Sequence, residues 1–282
     1  MRYVFFGSPR FAAIVLAGLL GKMPPAAVVA NPDKPVGRRQ VLTPPAVKTM
    51  LLERDSDVGL LQPEKLAEIA PRLRELEPDI FVVAAYGKII PKSILEIPRL
   101  GTIGVHPSLL PRYRGATPIQ SAILGGEEKT GTTLYLMDAA VDHGPILASS
   151  ALPVIGMSYP ELEAALAKLG GELLLEALPK VAAGEIKPQV QNESQATFTE
   201  KFETQDAFVP WEELARAASG DLDAAAVVWR KIRAFDPEPG AWTLKGEERI
   251  KLLRADLKDD ALSLREIQRA GKMPERISGG LP

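Results

Sequence analysis

The chain has two histidines, His106 and His143, and each stands at the polar, turn-forming end of an apolar run. His106 closes Thr102-Ile103-Gly104-Val105 and precedes Pro107-Ser108, while His143 lies in the turn Asp142-His143-Gly144-Pro145. Imidazole exchanges a proton near neutral pH, and a neighbouring carboxylate orients it and fixes its tautomer. His106, with Asp142 36 residues further on, is therefore a candidate acid-base pair. Position alone also fits a capping histidine and an ordinary Asp-Gly-type turn. Other chemistries are poorly served. There are no cysteines, which excludes thiolate nucleophiles, disulfides and Cys-based metal sites. No His/Asp/Glu cluster has a metal-ligand spacing, so no metal is expected. Gly7-Ser8-Pro9 lacks the further glycines and the later acidic residue of a dinucleotide fingerprint, which disfavours nicotinamide chemistry.

The pair needs strands to carry it. Tyr3-Val4-Phe5-Phe6 is β-prone, Gly7-Ser8-Pro9 turns, and residues 11 to 20 read as a helix with Ser8 as N-cap and Pro9 in its first turn. Residues 26 to 30 and 79 to 85 read as further strands, the latter an apolar run suited to burial on both faces. Helical patterns at 44 to 54 and 63 to 76 lie between them. Strands at 101 to 105, 131 to 137 and 146 to 153 and a helix at 159 to 181 complete an α/β domain over residues 1 to 181. Alternation of strands and helices implies a Rossmann-like, mostly parallel sheet. His106 and Asp142 then fall outside strand ends, where open α/β sheets bind ligands. Residues 182 to 210, with Gly184, Pro188 and a Gln/Asn/Ser stretch, read as a linker. Residues 211 to 282, with a helix at 221 to 235 and three short β-prone segments, read as a small β-rich domain.

The formal charge is −2, and neither part of the chain is basic: residues 1 to 199 carry 20 Lys+Arg against 20 Asp+Glu, and residues 200 to 282 carry 14 against 16. Bulk charge thus gives no sign of a nucleic-acid partner. No run is long enough for a signal sequence or a membrane span, so a cytoplasmic protein is expected.

The run Ile103-Gly104-Val105-His106-Pro107-Ser108-Leu109-Leu110-Pro111-Arg112-Tyr113-Arg114-Gly115-Ala116-Thr117-Pro118-Ile119-Gln120, with the Asp142 loop, resembles the signature of enzymes that transfer a formyl group from 10-formyltetrahydrofolate. Within that superfamily the chain resembles the methionyl-tRNA formyltransferases over most of its length. The likeness includes Phe6 to Ala12, Asn31 to Arg39, Val83 to Pro91, Thr197 to Lys201, and Lys231 to Pro237 and on to Trp242.

The resemblance implies that 10-formyltetrahydrofolate is co-substrate and initiator methionyl-tRNA the acceptor, with a monomeric enzyme acting in translation initiation. The pterin would lie against Ser108, Leu109, Leu110 and Pro111, near Tyr86, Gly87 and Ile89. His106 would stabilise charge and mediate proton transfer, paired with Asp142. Phe11 and the loop with Lys34, Arg38 and Arg39 would meet the substrate tRNA. The small C-terminal domain would be an abbreviated relative of the oligonucleotide-binding barrel. One position departs from the family pattern: an asparagine two residues before the histidine is replaced by Gly104. Three readings follow: a slow enzyme, a substitute donor such as His143, a backbone N–H or water, or a protein that binds folate without turnover. Substitution is preferred, because His106, the 108 to 111 loop and Asp142 are intact.

Overall fold

A computed structural model describes residues 1–37, 39–258 and 261–282. Strand β1 (Tyr3–Gly7) leads to helix α1 (Arg10–Leu20) and strand β2 (Ala27–Val29). A hairpin of β3 (Lys34–Val36) and β4 (Val41–Thr43) precedes α2 (Ala46–Glu53), β5 (Leu60–Leu61) and α3 (Ala70–Glu75). Then come β6 (Ile80–Ala84), α4 (Lys92–Leu95), β7 (Thr102–His106), β8 (Arg114–Gly115) and α5 (Pro118–Leu124). Strands β9 (Lys129–Leu136) and β10 (Ile146–Pro153) are followed by α6 (Tyr159–Ala182) and β11 (Phe198–Thr199). The chain ends with α7 (Trp211–Ala218), α8 (Leu222–Ala234), β12 (Ala241–Lys245), β13 (Glu248–Lys258), β14 (Ala261–Arg269) and β15 (Glu275–Arg276).

The large sheet runs β10-β9-β7-β6-β1-β2-β5. Its five strands from β7 to β5 are parallel, and β9 joins β7 antiparallel. This is the mostly parallel Rossmann-like sheet expected from the alternating pattern. Every residue of β1 and β7 is buried, as strands covered on both faces require. On one face Val4, Phe6, Ala27, Val29, Leu73, Phe81 and Ile94 form a continuous core. The chain leaves β1 toward β2 and β5 and returns to its other side with β6. Strand order therefore reverses between β1 and β6, whose carboxyl ends border the resulting crevice, with β7 next to β6.

Helix α1 is capped differently from the sequence expectation. Pro9 is its N-cap and has no side-chain capping bond, while Ser8 Oγ accepts from the Asn31 N–H at 2.9 Å. The Ser8 hydroxyl ties β1 to the segment after β2, so a long-range bond has displaced the local one. The hairpin of β3 and β4 also replaces the loop read there, with Gly37 at φ +70° supplying the left-handed turn conformation.

Two compact units emerge, interleaved in sequence rather than consecutive. The first comprises Met1–Gly115, Gly131–Leu152 and Ala164–Phe198; the second comprises Ala116–Thr130, Pro153–Glu163 and Thr199–Pro282. In the second unit, β12 to β15 form an antiparallel meander in sequence order. Leu214, Ala217, Val228 and Ile232 of α7 and α8 pack with Ile250, Leu252, Leu264 and Ile267 of the sheet. Trp211 and Trp229 pack against that core, and the Trp242 ring meets Phe208 at a tilt with centroids 4.6 Å apart. Among the described residues, no helix is long and apolar enough to cross a membrane.

Candidate active site

Strand β7 delivers His106 to the crevice at its final residue, with the imidazole buried. Its Nε2 lies 2.8 Å from the Tyr113 carbonyl oxygen. A carbonyl can only accept, so Nε2 carries a proton and donates it. The other ring nitrogen, Nδ1, is then the atom free to take up a proton, and it faces Asp142 Oδ2 at 3.5 Å. A proton gained at Nδ1 would make that contact charge-assisted. The structure thus brings His106 and Asp142 together from positions 36 residues apart.

Asp142 is held on both oxygens. Oδ1 accepts from the Tyr135 hydroxyl at 2.7 Å, and Oδ2 accepts from the Gly115 N–H at 2.8 Å. Its backbone is left-handed, at φ +47°, and Tyr113 is also left-handed, at φ +60°. Such conformations cost an L-residue on the order of 1–3 kcal/mol and persist only where surroundings over-determine them. Here the Tyr113 N–H donates to Thr197 Oγ1 at 2.8 Å while its carbonyl receives His106. The Asp142 carbonyl accepts from Gln191 Nε2 at 2.9 Å, and the Gly144 carbonyl accepts from the same nitrogen at 2.8 Å.

Gln191 in turn rests on Arg114. Its Oε1 accepts from Arg114 Nε at 3.1 Å and Nη2 at 2.8 Å, and the same guanidinium donates to both Glu193 oxygens at 2.9 and 2.6 Å. Arg114 is 1% exposed, the largest fully buried side chain of the described residues, so its charge depends on these partners. Hydrogen bonding from Arg114 holds the Glu193 carboxyl below its ordinary range. Gln191 and Glu193 lie in the stretch read as a connector. Nothing local marks them, because their partner is 77 and 79 residues away.

Other expected site residues divide. Gly104 lies on β7 directly opposite Tyr135 of β9. Ser108 and Leu110 are buried: the Ser108 hydroxyl donates to the Arg112 carbonyl at 2.6 Å, and the Leu110 N–H donates to Thr133 Oγ1 at 3.2 Å. The Leu110 bond and one from Thr133 Oγ1 to the Ser108 carbonyl at 2.7 Å tie the loop to β9, while Leu109 and Pro111 are partly exposed. The Tyr86 ring packs edge-on to Phe6 in the core, whereas Gly87 and Ile89 are exposed, the latter by 93%. Phe11 is 3% exposed within α1 and packs in the core. Aromatic rings near strand ends fill the interior of their own sheet first, because burial of such a ring stabilises by about 1.5–3 kcal/mol. Lys34 and Arg39 are exposed on the hairpin; Arg38 lies outside the described residues. His143, considered as a substitute donor, is bound to Asp138 Oδ2 at 2.7 Å.

A family model described as "Formyl transferase" matches residues 1–178, and one described as "Formyl transferase, C-terminal domain" matches residues 222–273. The chain belongs to the formyl transferase family. It is 42% identical over 260 residues to a methionyl-tRNA formyltransferase of Chloroflexus aggregans, covering 90% of this chain and 80% of that one. It is 40% identical over 287 residues to a methionyl-tRNA formyltransferase of Halorhodospira halophila, covering 99% and 86%. Among solved structures, HypX from Aquifex aeolicus in complex with tetrahydrofolic acid shares the fold, with a TM-score of 0.66 and 20% identity over 98% of this chain. The chain spans 46% of that longer structure.

Burial, reinforced by the Asp142 charge, pushes the phenol of Tyr135 in this formyltransferase well above the ordinary tyrosine range, and burial raises Tyr86 in the same direction. A folded value above the unfolded one, near 10, means that the stability contribution is complete below about pH 10 and is lost as pH rises toward the folded value. Urea-unfolding midpoints are therefore expected to be level from neutral pH to about 9.5 and to fall above about 10, less steeply in Tyr135→Phe. An unchanged slope in that variant would show that Tyr135 ionises as freely in the folded chain as in the unfolded one.

Proposed function

We propose that this formyltransferase moves the formyl group of 10-formyltetrahydrofolate onto the amino group of methionine carried by initiator methionyl-tRNA. The observation that carries this reading is the His106–Asp142 pair, with one ring nitrogen committed to Tyr113 and the other left to exchange a proton beside the carboxylate. Relatives about 40% identical over most of the chain are named for that acceptor.

The surface beside the strand ends suits a flat carrier ring: Ile89 projects almost wholly outward next to the exposed Gly87, and Leu109 and Pro111 are partly open after His106. These residues would hold the carrier, which supplies an activated formyl carbon. Attack by the amine forms the new C–N bond and places the carbonyl electron pair on oxygen. The proton released by the amine passes to His106 Nδ1, and Asp142 keeps that imidazolium in place. Return of the proton to the departing carrier nitrogen accompanies cleavage of the old C–N bond. Lys34, Arg38 and Arg39 would engage phosphates of the acceptor arm.

The test is formation of formyl-methionyl-tRNA from purified protein, 10-formyltetrahydrofolate and methionyl initiator tRNA. Product is expected, with a KM for tRNA that rises steeply with added KCl because phosphates are engaged. Product only with an amino sugar nucleotide or a small amine would move the assignment to another acceptor. Folate binding without product on any acceptor would overturn catalysis itself.

A further inference from the structure

Gly104 has no side chain, and Tyr135 occupies the space that one would take. A Cβ built on Gly104 would lie 2.4 Å from Tyr135 Cε1, 2.5 Å from Cζ and 2.8 Å from the hydroxyl oxygen. The two residues are cross-strand partners on β7 and β9, so their side-chain positions compete directly. Tyr135 is buried and reaches across Gly104 to donate to Asp142 Oδ1 at 2.7 Å. Asp142 Oδ2 is left for the Gly115 N–H and for His106. The hydroxyl therefore determines which carboxylate oxygen faces the imidazole. His143, in contrast, is bound to Asp138 Oδ2 at 2.7 Å.

We propose that Tyr135 is a positioning residue for formyl transfer: its phenol, seated in the space that Gly104 vacates, holds Asp142 against His106, so that positions 104 and 135 work as one coupled pair. The kinetic part of this proposal rests on the formyl-transfer reading above. Any β-carbon at position 104 displaces the ring and pulls the hydroxyl from Asp142. Removing the hydroxyl alone leaves the ring's volume and frees the carboxylate to turn.

The test is a set of variants in the full-length protein, assayed for formyl-methionyl-tRNA formation and for urea unfolding. Tyr135→Phe is expected to lower kcat by about 10- to 100-fold while KM for tRNA and for 10-formyltetrahydrofolate stays within about twofold, the pattern of a group that acts on the transition state and not on binding. Gly104→Ala and Gly104→Asn are each expected to lower kcat by at least about 10-fold. Combining Gly104→Asn with Tyr135→Leu should recover activity relative to either single variant, because the new side chain then has room. Unfolding midpoints should show the same coupling between Gly104→Ala and Tyr135→Leu, with the double variant no less stable than Gly104→Ala alone. Full activity in Tyr135→Phe would overturn the positioning role, and additive effects at the two positions would overturn the coupling. If the unmodified protein makes no product, the function reading fails on that control, and additive or coupled unfolding midpoints still decide the pairing.

Discussion

Replacing His106 with alanine is expected to lower kcat/KM for formyl transfer by about 10²- to 10⁴-fold, the usual contribution of a positioned acid-base group. The loss should fall on kcat, because Nδ1 acts on the proton released by the attacking amine and not on ground-state binding. His106→Gln sharpens the experiment. Its amide nitrogen can still donate to the Tyr113 carbonyl as Nε2 does at 2.8 Å, but it offers no titratable atom beside Asp142 Oδ2. Both variants should be similarly inactive, while His106→Gln should unfold closer to the unmodified protein. The alanine change leaves a carbonyl without its donor, worth about 1–3 kcal/mol. Rates within about threefold of normal in either variant would remove His106 from the proton path.

Arg114→Ala is expected to be clearly destabilising, by about 1–3 kcal/mol for the buried amide it leaves unpaired, measured as the shift in urea-unfolding free energy. The guanidinium is fully buried and satisfies Gln191 Oε1, and Gln191 in turn holds the Asp142 and Gly144 carbonyls. Its removal strands a buried amide and releases the support of a left-handed aspartate, so kcat should fall with stability. Gln191→Ala should add little on top of Arg114→Ala, because both break one network. Additive losses would mean that the two residues stabilise the chain separately. Glu193, more exposed, should tolerate Glu193→Gln with most of the rate retained, since an amide oxygen still accepts from Arg114.

The elements of the sheet were legible because they depend on near-neighbour patterns. Short continuous apolar runs such as Ile80–Ala84, rich in β-branched and aromatic residues, read as strands covered on both faces, and their alternation with helices favours parallel order. The placing of His106 and Asp142 outside strand ends follows from the same rule, and the motif around His106 named the family. Short elements were not legible: the helix at Trp211–Ala218 and the hairpin of Lys34–Val36 and Val41–Thr43 follow polar, Pro-bearing text that propensity reads as loop. Ser8 carried a strong local signal for a cap, and a bond to residue 31 overrode it. The burial of Leu110 and Tyr86 was not legible either, because composition cannot say which side of a loop meets the core.

What the sequence by itself determined was the reaction class: an imidazole and a carboxylate at strand ends, inside a motif dense enough to identify its family. What only the tertiary structure decided was how that pair is held. Tyr135 is an unremarkable strand residue until antiparallel register sets it against Gly104, and Gln191 is polar connector text until folding brings it beside Arg114. Both are consequences of long-range packing and hydrogen-bond satisfaction, which depend on residues dozens of positions away and therefore leave no periodic trace along the chain.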